Sequence, residues 1–231
     1  MIPPFHPDLR PGELAAALFT PDRSVGEFER RFADTMGARR AVAFPHGRTG
    51  LLVLLETLGL RGADVVVPAL TCTVAAHAVV LSGNRPVFVD CAPGSCNMDL
   101  EETRLAIENG ARAVVATHIF GHPLDCGRLQ EIVGSAPHPV AVIQDCAHGF
   151  RTSWKGAPVA GMGLAALYGL NIAKYMTSVF GGMITTSDEG LAEALARARD
   201  RRLHPGGLRR RLAKAAYGLA ASLAFSRPGH A

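Results

Sequence analysis

The feature that most constrains this chain is a repeated alternation. Short apolar runs of strand length alternate with helix-length segments across residues 25–201, and a small or polar cluster follows the strands. Phe28, Phe32 and Met36 recur every four residues, which predicts a helix over Val25–Met36. Arg40–Phe44 reads as a strand, Gly47–Leu58 as a helix, Asp64–Val67 as a strand stopped by Pro68, and Cys72–Leu81 as a helix. The pattern continues through Pro86–Asp90 (strand), Leu100–Glu108 (helix), Ala113–Thr117 (strand), Cys126–Val133 (helix) and Val140–Asp145 (strand). Ala165–Leu170 and Gly182–Thr186 read as two more strands, and Asp188–Arg201 as a helix with an acidic N-cap. Such alternation predicts an α/β domain of three layers, with a mostly parallel sheet between helices. Residues 1–203 are expected to form this unit. His204-Pro205-Gly206-Gly207 then breaks the pattern, and residues 204–231 carry a basic, Ala/Leu-rich helix.

Composition narrows the function classes. The 231 residues are 48% hydrophobic and 19% charged, enough apolar matter for a full core and too much for a disordered chain. The net charge of +4 is mild, and the arginines are scattered apart from Arg209, Arg210 and Arg211. A nucleic-acid surface would need a basic stripe, so none is expected. Met1-Ile2-Pro3-Pro4-Phe5 lacks the basic and apolar regions of a signal peptide, and no run approaches the ~20 apolar residues of a membrane span. Five cysteines (Cys72, Cys91, Cys96, Cys126, Cys146) form no CxxC pair, which favours reduced thiols in a cytoplasm over disulfides or zinc.

In open α/β sheets, chemistry collects at the carboxyl ends of the strands. There the sequence places His46-Gly47-Arg48-Thr49-Gly50, Pro68-Ala69-Leu70-Thr71-Cys72, Thr117-His118-Ile119-Phe120-Gly121, Asp145-Cys146-Ala147-His148 and Asn171-Ile172-Ala173-Lys174. These clusters are expected to converge along one rim. The turn at Gly47, Arg48 and Thr49 joins a strand to a helix N-terminus and suits a phosphate, or is an ordinary turn. It is neither GxGxxG nor a Walker A loop. Asp145 ends an apolar strand, where a carboxylate needs a cation, a helix to cap or an arginine partner. His148 follows three residues later and is either structural or set against a flat ligand.

Lys174 is one of only three lysines, with Lys155 and Lys214, in a chain that otherwise uses arginine for its cations. Arginine cannot serve as an amine nucleophile. In apolar surroundings Lys174 would lose its proton more readily and could form an imine, whereas a surface lysine would do neither. A phosphate loop, a buried acid and an amine lysine, in that order, meet three requirements of pyridoxal phosphate: a held phosphate, a protonated ring nitrogen and a captured aldehyde.

Taken together, these segments resemble the DegT/DnrJ/StrS sugar aminotransferases, a family of fold type I pyridoxal phosphate enzymes. The resemblance runs through Val25-Gly26-Glu27-Phe28-Glu29, Gly47 to Leu51, Val65 to Thr71, Pro86 to Asp90, Asn97-Met98-Asp99, His118-Ile119-Phe120-Gly121-His122-Pro123, Asp145-Cys146-Ala147-His148, and Lys174 with Gly181-Gly182. It covers roughly residues 1–200.

The resemblance implies transfer of an amino group to a nucleotide-linked keto-sugar, with glutamate or glutamine as donor, by a homodimer. It implies that Lys174 links to the cofactor and moves the proton, and that Asp145 pairs with the ring nitrogen. His148 would lie beside the ring, and Gly47, Arg48 and Thr49 would hold the phosphate. Cys72, Gly169 and Asn171 also fall on cofactor-binding positions. At three of these sites the chain departs from the family: Arg48 replaces a hydroxyl residue, Cys72 an aromatic one and Gly169 a serine. The family also continues past the lysine into a smaller C-terminal domain, so a non-catalytic scaffold is the alternative expectation for a chain of this length.

Overall fold

The computed structural model describes residue 12, residues 24–203 and residues 207–225. The N-terminal Met1–Phe5 segment and the expected break at His204-Pro205-Gly206 lie outside the described residues. The elements that position the site are α1 (Ser24–Met36), β1 (Arg40–Phe44), α2 (Gly47–Thr57), β2 (Asp64–Pro68), α3 (Thr73–Leu81), β3 (Arg85–Val89), α4 (Leu100–Glu108), β4 (Ala113–Thr117), α5 (Cys126–Gly134) and β5 (Ala141–Asp145). There follow a short hairpin of β6 (Ser153–Trp154) and β7 (Ala157–Pro158), then β8 (Ala165–Gly169), β9 (Gly182–Thr186), α6 (Glu189–Arg202) and α7 (Leu208–Phe225).

Seven strands form one sheet in the order β1-β9-β8-β5-β4-β2-β3. The pairs β2–β3, β2–β4, β4–β5 and β5–β8 are parallel, and β9 is antiparallel to both of its neighbours. The reversal has a simple cause. Residues 170–181 join β8 to β9 without a crossover helix, and a parallel return needs such a crossover.

Every residue of β4 and β9 is buried, as are four of the five in β2, β5 and β8. That is the pattern of strands covered on both faces. Helix α2 packs across the sheet with Leu51, Val53, Leu54 and Leu55 almost completely buried. Each such side chain contributes roughly 1.5–3 kcal/mol.

The N-termini of α4, α5 and α6 are capped. Asp99 accepts from the N–H groups of Glu101 and Glu102, Asp125 from that of Arg128, and Asp188 from that of Leu191. On the side of β1 away from β9, which no strand covers among the described residues, the Glu29 carboxylate accepts from the Ala43 N–H at 2.7 Å. Arg199 pairs with Glu29 and donates to the Ala43 carbonyl at 3.3 Å. One half-buried ion pair from α1 and α6 thus satisfies both outward backbone groups of Ala43.

Candidate active site

Helix α2 starts immediately after β1, and its N-cap His46 makes no side-chain hydrogen bond to the helix. The N–H groups of Thr49 and Gly50 bond to the His46 carbonyl. Gly47 and Arg48 carry the first donors of the helix, where the dipole is positive. Gly47 also allows close packing. A Cβ there would stand 3.2 Å from the Tyr168 carbonyl oxygen, and a Cβ at Gly182 would collide with the Gly47 nitrogen. Two glycines therefore seat the helix start directly on the ends of β8 and β9.

A cavity of about 290 Å³ opens at this point. His46, Gly47, Arg48, Cys72, Asp145, Gly169, Asn171, Lys174 and Phe180 are among the residues that line it. The rim clusters after β1, β2, β5 and β8 thus meet at one site. The cluster after β4 contributes differently. His118 is fully buried away from that wall, where its Nε2 faces Gln144 Oε1 at 2.9 Å and its Nδ1 accepts from the Leu124 N–H at 3.1 Å. Burial depresses the His118 pKa to about 4, so the imidazole is neutral.

Asp145 ends β5 at 7% exposure, and its Oδ1 accepts from the Ala147 N–H at 2.9 Å. Burial raises its pKa, although Ala147, Lys174 and His148 all pull the other way. Lys174 is half-buried. Burial lowers its pKa, and the attraction of Asp145 and Cys72 only partly offsets that effect.

The lysine sits in a closed loop. Its N–H bonds to the Asn171 carbonyl at 3.0 Å, and Asn171 Oδ1 accepts from the Ala173 N–H at 2.9 Å. Backbone bonds from Leu170 to Gly181 and from Ser178 to Leu170 shut the loop at its base. Val179 is held there at φ 67, a conformation strained for a β-branched residue. A Cβ on Gly169 would touch Lys174 Cε at 3.4 Å.

Two expected site residues stand just outside the cavity wall. Thr49 is half-buried in the first turn of α2. His148 is half-buried beside the wall, with its pKa lowered by burial and by Lys174. Its ring stacks on Phe120 at 6.0 Å and 25°.

Sequence reasoning did not select His46 or Phe180, which line the cavity and meet edge-to-face at 6.1 Å. Phe180 also packs on Tyr217 of α7 at 4.8 Å. The position of His46, directly before the helix glycine, was the available signal. Among the described residues, no helix is long and apolar enough to cross a membrane, and no group of acidic, histidine and cysteine side chains could hold a metal.

The chain is 32% identical over 184 residues to a GDP-perosamine synthase of Caulobacter vibrioides, covering 79% of this chain and 49% of that protein. It is 31% identical over 167 residues to an L-glutamine:scyllo-inosose aminotransferase of Streptomyces griseus, covering 72% and 39%. The chain thus spans about half the length of the curated relatives it matches. Among solved structures it superposes on AtS13 of Actinomadura melliaura with a TM-score of 0.81 at 27% identity, covering 97% of this chain and 68% of that one. The sugar aminotransferase CalS13 of Micromonospora echinospora gives 0.78 at 26% identity, covering 86% and 57%. The model of the DegT/DnrJ/EryC1/StrS aminotransferase family matches residues 14–220. By this match and by its fold, the chain belongs to the DegT/DnrJ/EryC1/StrS aminotransferase family.

Proposed function

We propose that this chain holds pyridoxal phosphate in the cavity at the start of α2 and serves amino transfer between an amino acid and a keto-sugar carried on a nucleotide. The observation that carries the reading is the convergence on one cavity of a buried carboxylate, a desolvated amine and a helix N-terminus.

The residues fit the cofactor. Asp145 is a buried carboxylate whose partners leave its pKa raised. A protonated ring nitrogen beside it would supply the cation that burial demands. Glycines at 47 and 169 leave room at the helix start and beside Lys174.

When bound, pyridoxal phosphate supplies the aldehyde that exchanges amino groups and the ring that withdraws electron density. The chain supplies the rest. The Gly47 and Arg48 N–H groups and the Arg48 guanidinium would hold the phosphate. Asp145 would keep the ring nitrogen protonated. Lys174, deprotonated more readily than an ordinary lysine, would be the amine that holds the aldehyde, and its Nζ would be the atom to take up and release a proton there. Asn171 fixes the turn that aims it. Cys72 in the cavity wall and His148 just outside it would be the side chains nearest the ring.

The name GDP-perosamine synthase supports a GDP-linked or similar sugar as acceptor, and the name L-glutamine:scyllo-inosose aminotransferase supports glutamine, with glutamate as its near equivalent, as donor. We read residues 1–203 as the cofactor-holding unit, residues 204–231 as the start of the next, and the active assembly as a cytoplasmic homodimer. Five free cysteines fit a reducing compartment.

The test is spectroscopic. On adding pyridoxal phosphate, the wild type should develop a visible absorbance band, and borohydride followed by peptide mapping should place the adduct on Lys174. Lys174→Ala should lose both. If the two proteins take up the cofactor indistinguishably, the reading is wrong.

A further inference from the structure

Phe120 is 61% exposed, so burial does not account for its position. Its backbone is left-handed at φ 54 and ψ 17, a conformation that favours glycine and that a residue with a Cβ keeps only when its surroundings impose it. Here they do. His118 holds the base of the segment through Gln144 and the Leu124 N–H. The Gly121 and His122 N–H groups bond back to His118 and Ile119. The Asn97 amide donates to the Pro123 carbonyl at 3.0 Å, and the Thr152 hydroxyl donates to the Gly121 carbonyl at 3.3 Å. Residues 118–123 are therefore tied both to the sheet and to the loop after β5.

The aromatic partner this fastening gives Phe120 is the His148 ring, stacked at 25°. His148 lies within electrostatic reach of Asp145 and Lys174. A rigid segment that holds an exposed ring against one half-buried imidazole sets the plane of that imidazole.

We propose that Phe120 is a positioning residue: it clamps the His148 ring from the outside and so fixes the flat surface that His148 offers the cofactor. The role of His148 rests on the reading of the site given above; the clamp itself does not.

The test separates the two. The His148 imidazole would be titrated by NMR without cofactor, assigned with His148→Gln, in wild type, Phe120→Ala, Phe120→Leu and Phe120→Tyr. Pyridoxal phosphate affinity would be measured in parallel. Phe120→Ala should move the His148 midpoint up towards the ordinary histidine value and weaken cofactor binding by up to about tenfold, the worth of one aromatic pair. Phe120→Tyr should restore both, and Phe120→Leu should fall between. An unchanged His148 titration in Phe120→Ala and Phe120→Leu overturns the clamp, whatever happens to affinity. A shifted titration in a protein whose wild type binds no cofactor upholds the clamp and refutes the cofactor reading. Should Phe120→Ala not fold, Phe120→Leu against Phe120→Tyr decides by the same criteria.

Discussion

Lowering the pH from 7 to 4 should weaken the fold through His118. The imidazole is fully buried, and both ring nitrogens are engaged, one accepting from Leu124 and the other facing Gln144. Its pKa falls from 6.5 to about 4 on folding. The unfolded chain therefore binds the proton first, and stability is lost as pH drops below the unfolded value. With ~1.36 kcal/mol per pH unit, the loss reaches about 2 kcal/mol at pH 5 and about 3 kcal/mol at pH 4. Asp145 acts in the opposite sense, because its raised pKa lets the folded state take up a proton and relieves a buried charge in acid. The contribution of His118 must therefore be isolated by difference. Urea unfolding of wild type and His118→Gln at pH 7, 5 and 4 would do so. Gln can keep a donor towards Gln144 and does not titrate in this range. The variant should start less stable and lose about 2 kcal/mol less than wild type between pH 7 and 5. Parallel losses in the two proteins would show that His118 is not held neutral, and the argument from its burial would fail.

Gly182→Ala should cost several kcal/mol and abolish cofactor uptake, because its Cβ meets the Gly47 backbone nitrogen rather than a flexible side chain; a melting temperature within a few degrees of wild type would contradict that packing. Gly169→Ser should be accommodated, since the new Cβ makes only ordinary contact with Lys174 Cε. Its hydroxyl should tighten cofactor binding by about ten- to a hundredfold through one charge-assisted hydrogen bond, read as the dissociation constant. The rate at which the wild type captures the aldehyde should rise with pH, with its midpoint below the ordinary lysine value, because desolvation lowers the Lys174 pKa. A midpoint at or above 10.5 would put the amine in bulk water.

Much of the fold is legible because its signals are local. β2, β4 and β5 are Val- and Ala-rich runs bounded by turns, and burial on both faces requires that composition. Asp99 and Asp188 mark helix starts by their own side-chain chemistry. The antiparallel course of β9 was not legible, since a sequence does not state whether residues 170–181 cross the sheet or turn back. The site was readable at Gly47, Asp145 and Lys174, where a backbone or charge requirement restricts the residue type. It was not readable at His118, whose rim position in sequence conceals a core position in space, nor at Phe120, whose left-handed backbone is imposed by distant hydrogen bonds. Phe180 reaches the cavity only through the closure of the loop that carries Lys174.

The ion pair beside Ala43 has a consequence beyond packing. A terminal strand normally offers a ladder of free donors and acceptors to any passing chain. Here a carboxylate and a guanidinium occupy one rung on the outer side of β1, so an incoming peptide would have to displace two charges before it could dock. Neutralising both partners at once would leave that rung unguarded, and intermolecular sheet growth should begin at that margin.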